Sequence, residues 1–583
     1  MISGKLFVTI ISSLPSHLRP PPNRYLGVAL DRTILAVLLS FILGMLVSTA
    51  MGGDYLHQLQ EQGITTGHSD AVHWGPDPKK YSSWTSHSNR LIPVYTFGTK
   101  GQPNGIDLNS YTGENSPYRS ENKLRRIYGK PTQATVNPAA DYLDQTNLFD
   151  LQKAALDAGK KNIFLVVFDG MDWQTTQAAA IWNTQRIPYT EGRGVGTHFQ
   201  EYQANGTTQF GLMVTSPFCD GANVDINKQI VKSAGGGLFG GYDVTQAGSA
   251  PWQMPTDIEY LIGRSSTDDG VKHAYTDSAS SATSMMGGIK TYNAAIGVGP
   301  HGERPKTLAH LAQEQGYLAG AVTSVPISHA TPGASYAYNV SRNDYQDITR
   351  DLLGLPSSNN PETPLRGLDV LIGAGYGVNT TSDKGQGDNF VPGNKYLADE
   401  DLKKLNVENG GKYIVATRTP GEDGRQVLAS AAAQAAKTGQ RLFGFFGVAG
   451  GGDAGAHLPF LSGEGDYHPA LGVAKKGIKY DEADLKENPM LADMTTAAIE
   501  VLSKNDKGFW LLVESGDVDW ANHSNNLDAS IGAVNSGDSA VKAITDWVEE
   551  NSNWDESVLI VTADHGHYMF LDKPELLIRP ENR

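Results

Sequence analysis

Four short strings in this 583-residue chain carry side chains that could do chemistry. Asp169-Gly170-Met171-Asp172 follows the apolar run IFLVVF, and Ser278 lies in HAYTDSASSAT. Glu514, Asp519 and His523 fall in ESGDVDWANH, and Asp564, His565 and His567 in ADHGH. A lone carboxylate behind an apolar run is most often a helix cap or a solvated loop residue. Three such runs ending in Asp, Glu and Asp-His point instead to a shared site. The chain has one cysteine, Cys219, which leaves neither a disulfide framework nor a thiolate cluster. Any metal must then be held by carboxylates, imidazoles and hydroxyls. Such donors suit Zn²⁺ in a hydrolytic site, with an all-oxygen position for Mg²⁺.

The elements that must position these residues are legible from hydrophobic pattern. Apolar runs at 163–168, 318–322, 370–372, 442–446, 509–513 and 558–561 alternate with helical stretches. One helix is predicted over Thr307–Gln315, closed by Gly316, and another opens at Asn488-Pro489. Continuous apolar strands alternating with amphipathic helices predict an α/β fold with a central, mostly parallel sheet flanked by helices on both faces. In such sheets ligands gather outside the carboxyl ends of the strands, where these strings fall. Ser278 follows Asp277 at a predicted helix start, where backbone N–H groups favour an anion, although either residue also reads as a plain N-cap. Residues 51–155 are polar and rich in Gly, Asn, Ser and Pro, and read as loops and short elements wrapping a body at 156–583. A Gly-rich stretch at about 376–470 reads as surface excursions from that body.

The balance of 47 basic against 63 acidic residues gives a net charge of −16 and disfavours a nucleic-acid surface. Residues 34–47, ILAVLLSFILGMLV, follow Arg24 and Arg32 and precede Ser48-Thr49-Ala50. This is the layout of a secretory signal peptide over residues 1–50, and it predicts a periplasmic or secreted protein. The run is short of the ~20 residues a bilayer span needs; a membrane anchor through 34–50 is the other reading.

TDSASSAT with GGIKTYNAAIGV behind it closely resembles the nucleophile segment of the alkaline phosphatase family, and the other strings follow in that family's order. The resemblance runs from about residue 160 onward. It implies a phosphomonoesterase acting on small phosphate esters with two Zn²⁺ and one Mg²⁺, and it is compatible with a homodimer. By resemblance, Ser278 takes the phosphoryl group as phosphoserine, and Asp169 bridges one zinc and the magnesium. Asp564 and His565 hold that zinc together with the Ser278 oxygen, and Asp519 and His523 hold the other. Glu514 and Thr331, the latter in SHATPGASYAYNVSR, match the magnesium ligands. Arg342 matches the arginine that clamps two phosphate oxygens, a task its planar fork suits better than lysine. His567 reads as a donor that orients a ligand carboxylate.

A sulfatase would place Pro two and Arg four residues after the nucleophile, where this chain has Ser280 and Ala282. A nucleotide phosphodiesterase would carry a Thr nucleophile without the clamping arginine. His329 and Trp520 stand beside the site at positions where family members differ in metal preference and rate. The family's second zinc takes a further histidine from well downstream, yet no histidine follows His567; His457 and His468 lie in the Gly-rich excursion. The sequence therefore carries two expectations. One is an exported phosphomonoesterase. The other is a shortened or impaired relative that binds phosphate or metal.

Overall fold

The computed structural model describes residues 55–129, 134–235, 237–263, 273–448 and 480–583. The leader-like segment and residues 34–50, together with His457 and His468, lie outside them. No described helix is long and apolar enough to cross a membrane.

Ten strands form the central sheet: β1 Ile92–Phe97, β2 Leu143–Asp144, β3 Asn162–Phe168, β4 Gln209–Val214, β5 Leu318–Pro326, β6 Val370–Ala374, β7 Tyr413–Thr417, β8 Arg441–Phe445, β9 Phe509–Ser515 and β10 Ser557–Ala563. Their spatial order is β7-β8-β6-β5-β9-β3-β10-β1-β4-β2. From β7 to β10 every pairing is parallel. Strand β1 alone runs against the others, antiparallel to both β10 and β4. All residues of β3, β9 and β10 are buried. Because successive side chains point to opposite faces, such strands require cover on both sides.

Helices supply that cover. Those that matter below are α1 Trp173–Thr184, α2 Ser278–Gly287, α3 Leu308–Glu314, α4 Ala330–Ala334, α5 Leu491–Leu502, α6 Asp517–His523 and α7 Leu527–Asn551. In α7, Leu527, Ile531, Val534, Val541, Ile544 and Val548 recur at steps of three, four and seven residues on one buried face. Gly537 allows α7 to approach β3, since a Cβ there would lie 2.2 Å from Phe168 Cε1.

The α/β architecture and its parallel strands match the pattern read from sequence, with three local differences. The stretch read as wrapping loops contains β1, which lies inside the sheet. Pro93 at its second position and the polar residues around it hide this strand from periodicity. The Gly-rich stretch read as surface excursions contains β7, an edge strand of the sheet that pairs with β8, the strand read from the apolar run at 442–446. The helix predicted to open at Asn488 starts at Leu491, where the Asp493 side chain accepts from Met490 N at 2.9 Å. Asn488 is engaged elsewhere: it accepts from Gly447 N and donates to Asp484 O.

Candidate metal centre

Strand register brings the carboxylates together before any loop is considered. Phe168 of β3 is paired with Ser515 of β9 on one side and Ala563 of β10 on the other. Asp169 and Asp564 therefore leave adjacent strands side by side. Glu514 lies one residue back, between Val167 and Thr323.

Gly170 makes the next turn at φ +73°; a Cβ there would fall 2.8 Å from His567 Cδ2 and 3.0 Å from Asp519 Cα. Its N–H donates to Asp564 Oδ1 at 2.9 Å, beside the His565 N–H at 2.8 Å. The Asn522 amide donates to Gly170 O at 3.1 Å, which ties α6 to the same turn.

Asp169, Asp564 and His565 offer ligand atoms within 4.8 Å of one another. Ser278, the first residue of α2, points its hydroxyl into this group. Its Oγ donates to Asp169 Oδ1 at 3.3 Å and lies 3.2 Å from His565 Nε2. Asp277 caps α2 by accepting from Ser280 N, and Gln145 bridges Ser281 Oγ and Asp564 O. Burial pushes the Asp169 carboxyl well up, reinforced by Asp519, Asp564 and Glu514. Burial likewise raises Asp564 to about 6 and drives His565 well below the ordinary imidazole range.

The second group contains a residue that the sequence reading did not select. His87, from the segment before β1, joins Asp519, His565 and His567 as ligand atoms within 4.8 Å of one another. His87 Nε2 lies 3.0 Å from His523 Nε2, and each is 3.4 Å from Asp519 Oδ1. His87 Nδ1 faces Thr276 O at 2.9 Å, and His523 Nδ1 faces Thr85 O at 2.6 Å. A carbonyl only accepts, so each ring carries a proton on Nδ1 and, as a neutral imidazole, offers an Nε2 lone pair. Two lone pairs and a carboxylate oxygen thus converge on one point. A tetrahedral zinc with bonds of ~2.0–2.1 Å would separate its ligands by about 3.3–3.4 Å, close to the spacings found. A further imidazole thus stands beside Asp519 and His523 from upstream of every other site residue, and this donor set could hold a metal ion.

His567 Nε2 sits 2.8 Å from the same Asp519 oxygen, the distance of a hydrogen bond that holds the carboxylate in place. Burial would raise the Asp519 pKa, but His523, His567 and His87 around it hold it well below the usual carboxylate range.

On the other side of Asp169, Glu514 is fully buried and pushed up to about 8 by that burial. The Thr323 hydroxyl, opposite it in the sheet, donates to Glu514 Oε2. The buried Thr331 hydroxyl stands beside Glu514 and lowers its pKa, so a carboxylate and a hydroxyl oxygen meet here, which suits an all-oxygen cation position.

Arg342 borders the centre with its side chain 19% exposed, and its Nη1 donates to Asp277 Oδ2 at 3.0 Å. Burial works against its charge; Asp277 first, then Tyr345 and Asp169, more than compensate. His329 is the N-cap residue of α4, and its ring meets the Trp520 edge at 5.6 Å. The structure thus gathers all the sequence-predicted site residues around one buried centre, and it adds His87, Asp277, Thr323 and Gly170.

The family model described as alkaline phosphatase matches residues 246–447 and 460–576. Ser278, Thr331, Arg342, Glu514, Asp519, His523, Asp564 and His565 fall within that match, whereas His87 and Asp169 precede it. Alkaline phosphatase 3 of Bacillus subtilis is 29% identical over 309 residues, 53% of each chain. The alkaline phosphatase of Escherichia coli K12 is 28% identical over 365 residues, 58% of this chain and 66% of that one. The chain thus spans about half to two thirds of the length of these relatives. A solved cold-active alkaline phosphatase from Shewanella aligns over 70% of this chain and 68% of its own at 19% identity, with a TM-score of 0.40.

Proposed function

Because the chain belongs to the alkaline phosphatase family, we propose that it is an exported phosphomonoesterase in which Ser278 accepts the phosphoryl group. The observation that carries this reading is that the Nε2 atoms of His87 and His523 and the Asp519 carboxylate gather in one group, which His565 joins to the Ser278 hydroxyl. His87, His523 and Asp519 would hold one Zn²⁺. Asp169, Asp564 and His565, with Ser278 Oγ, would hold a second, and Asp169, Glu514 and Thr331 a Mg²⁺. When bound, these ions supply Lewis-acid stabilisation of the attacking and leaving oxygens and lower the pKa of a coordinated hydroxyl or water.

The chain's own groups do the rest. Ser278 Oγ, held between Asp169 and His565, would attack phosphorus and displace the ester oxygen, and its proton has an acceptor at 3.3 Å in Asp169 Oδ1. Arg342, braced by Asp277, presents the fork that two phosphate oxygens need. The N-terminal N–H groups of α2 add a favourable field for the same dianion. Burial of Asp169, Ser278 and His565 excludes bulk water from the reacting bond.

The binding-only reading rests on the absence of a histidine after His567, and His87 would take that place. Purified protein supplied with Zn²⁺ and Mg²⁺ should release phosphate from p-nitrophenyl phosphate at alkaline pH and lose this activity on chelation. Phosphate binding without any turnover would restore the binding-only reading.

A further inference from the structure

The reacting groups are buried, so a leaving group can touch the protein only where side chains reach from the centre toward solvent. Among the described residues, these include the partly exposed His523, Arg342, His329, Trp520 and Tyr345. Three of them form a continuous aromatic wall. Trp520 lies on α6 between Asp519 and His523, so it stands next to the ligands beside which the ester oxygen would depart. Its ring meets His329 at 5.6 Å, edge to face. The His329 and Tyr345 rings are parallel to within 3°, with centroids 6.2 Å apart. Tyr345 opens the helix Tyr345–Leu353 three residues after Arg342. It is braced from behind by the buried Tyr396 at 5.1 Å and by Lys395 Nζ, 5.0 Å from its ring centroid.

We propose that Trp520, His329 and Tyr345 form a leaving-group platform that favours phosphate monoesters of planar aromatic alcohols or nucleosides over those of small aliphatic alcohols. The inference rests on the phosphomonoesterase reading and adds a substrate class to it. A rigid, braced aromatic face gives stacking area at little entropic cost, and base–aromatic stacking tolerates any π-face. The carboxylates and metals of the centre recognise the phosphoryl group common to all monoesters. Selectivity between esters would then arise at the partly exposed rim of the centre, where this wall stands.

The test compares adenosine 5′-monophosphate with glycerol 3-phosphate, two primary alkyl esters of similar intrinsic reactivity, on the metal-loaded full chain. The ratio of their kcat/KM values should favour the nucleotide and fall about tenfold in Tyr345→Leu, the scale of one lost base–aromatic stack. Tyr345→Phe should restore it, and Trp520→Leu should lower it independently. A ratio unchanged in both Leu variants, or equal losses on both esters, would overturn the platform while leaving the phosphomonoesterase reading intact. Wild-type protein that turns over neither ester would overturn the parent reading, and the platform with it.

Discussion

His87 Nε2 lies 3.0 Å from His523 Nε2 although 436 positions separate the two residues. Each ring is fixed by its own carbonyl, Thr276 O for His87 and Thr85 O for His523. Neither nitrogen can donate to the other in those tautomers, so the pair makes chemical sense around a cation.

His87→Ala should therefore remove about one equivalent of zinc per chain. Its effect on metal affinity should exceed the ~10–100-fold typical of losing an outer hydrogen-bonding partner. Elemental analysis after dialysis, with turnover measured on the same samples, checks this. Full zinc content in the variant would remove His87 from the ligand set.

Gly170→Ala tests the packing beneath the centre. The new methyl would press on His567 and on the Asp519 backbone, in a left-handed conformation that side chains disfavour. The substitution should cost on the order of 1–3 kcal/mol in stability. It should also weaken zinc retention, because His567 and Asp519 would have to part. Thermal unfolding and a zinc titration measure the two effects separately.

Arg342→Lys keeps the charge and loses the fork. Charge-assisted hydrogen bonds contribute roughly 1.5–3 kcal/mol each, so KM and the inhibition constant for inorganic phosphate should rise about tenfold or more. An unchanged phosphate inhibition constant would place the clamp elsewhere.

Asp344 offers a pH test away from the metals. It is fully buried, and burial raises its carboxyl to about 7. The folded state then binds more protons than the unfolded chain between about pH 4, the ordinary carboxylate value, and about pH 7. Stability contributed by this group is highest at low pH and falls as pH rises through that window. Asn339, Asn389 and Gln229 all donate to Oδ2, and Oδ1 has no hydrogen-bond partner. Asp344→Asn, with its amide oxygen in the Oδ2 place, keeps those bonds and should flatten the decline by on the order of a few kcal/mol at most. Chemical unfolding of both proteins at pH 5 and pH 8 measures the difference.

Much of the centre was legible because its carboxylates end strongly apolar runs. IFLVVF, FWLLV and VLIV can hardly be other than buried strands, and Asp169, Glu514 and Asp564 close them or lie next to their ends. His87 carried no such local signal. It precedes a short strand containing Pro93, in a polar stretch, and its partners come from α6 and from residues 565–567 just after β10, where His567 pairs antiparallel with His87. Chain order misled as well: the further imidazole was expected downstream, whereas the antiparallel β1 enters the sheet beside β10 and brings its upstream neighbour His87 to the site. The wall formed by His329, Tyr345 and Trp520 was equally hidden, because ring orientation is set by tertiary packing.

The most direct test of the account is to trap the covalent intermediate. Metal-loaded protein incubated with labelled inorganic phosphate at mildly acidic pH, then denatured and digested, should yield label in the peptide containing Ser278, and Ser278→Ala should yield none. Label retained in that variant, or carried by a different residue in the wild type, would contradict the assignment of Ser278 as the nucleophile.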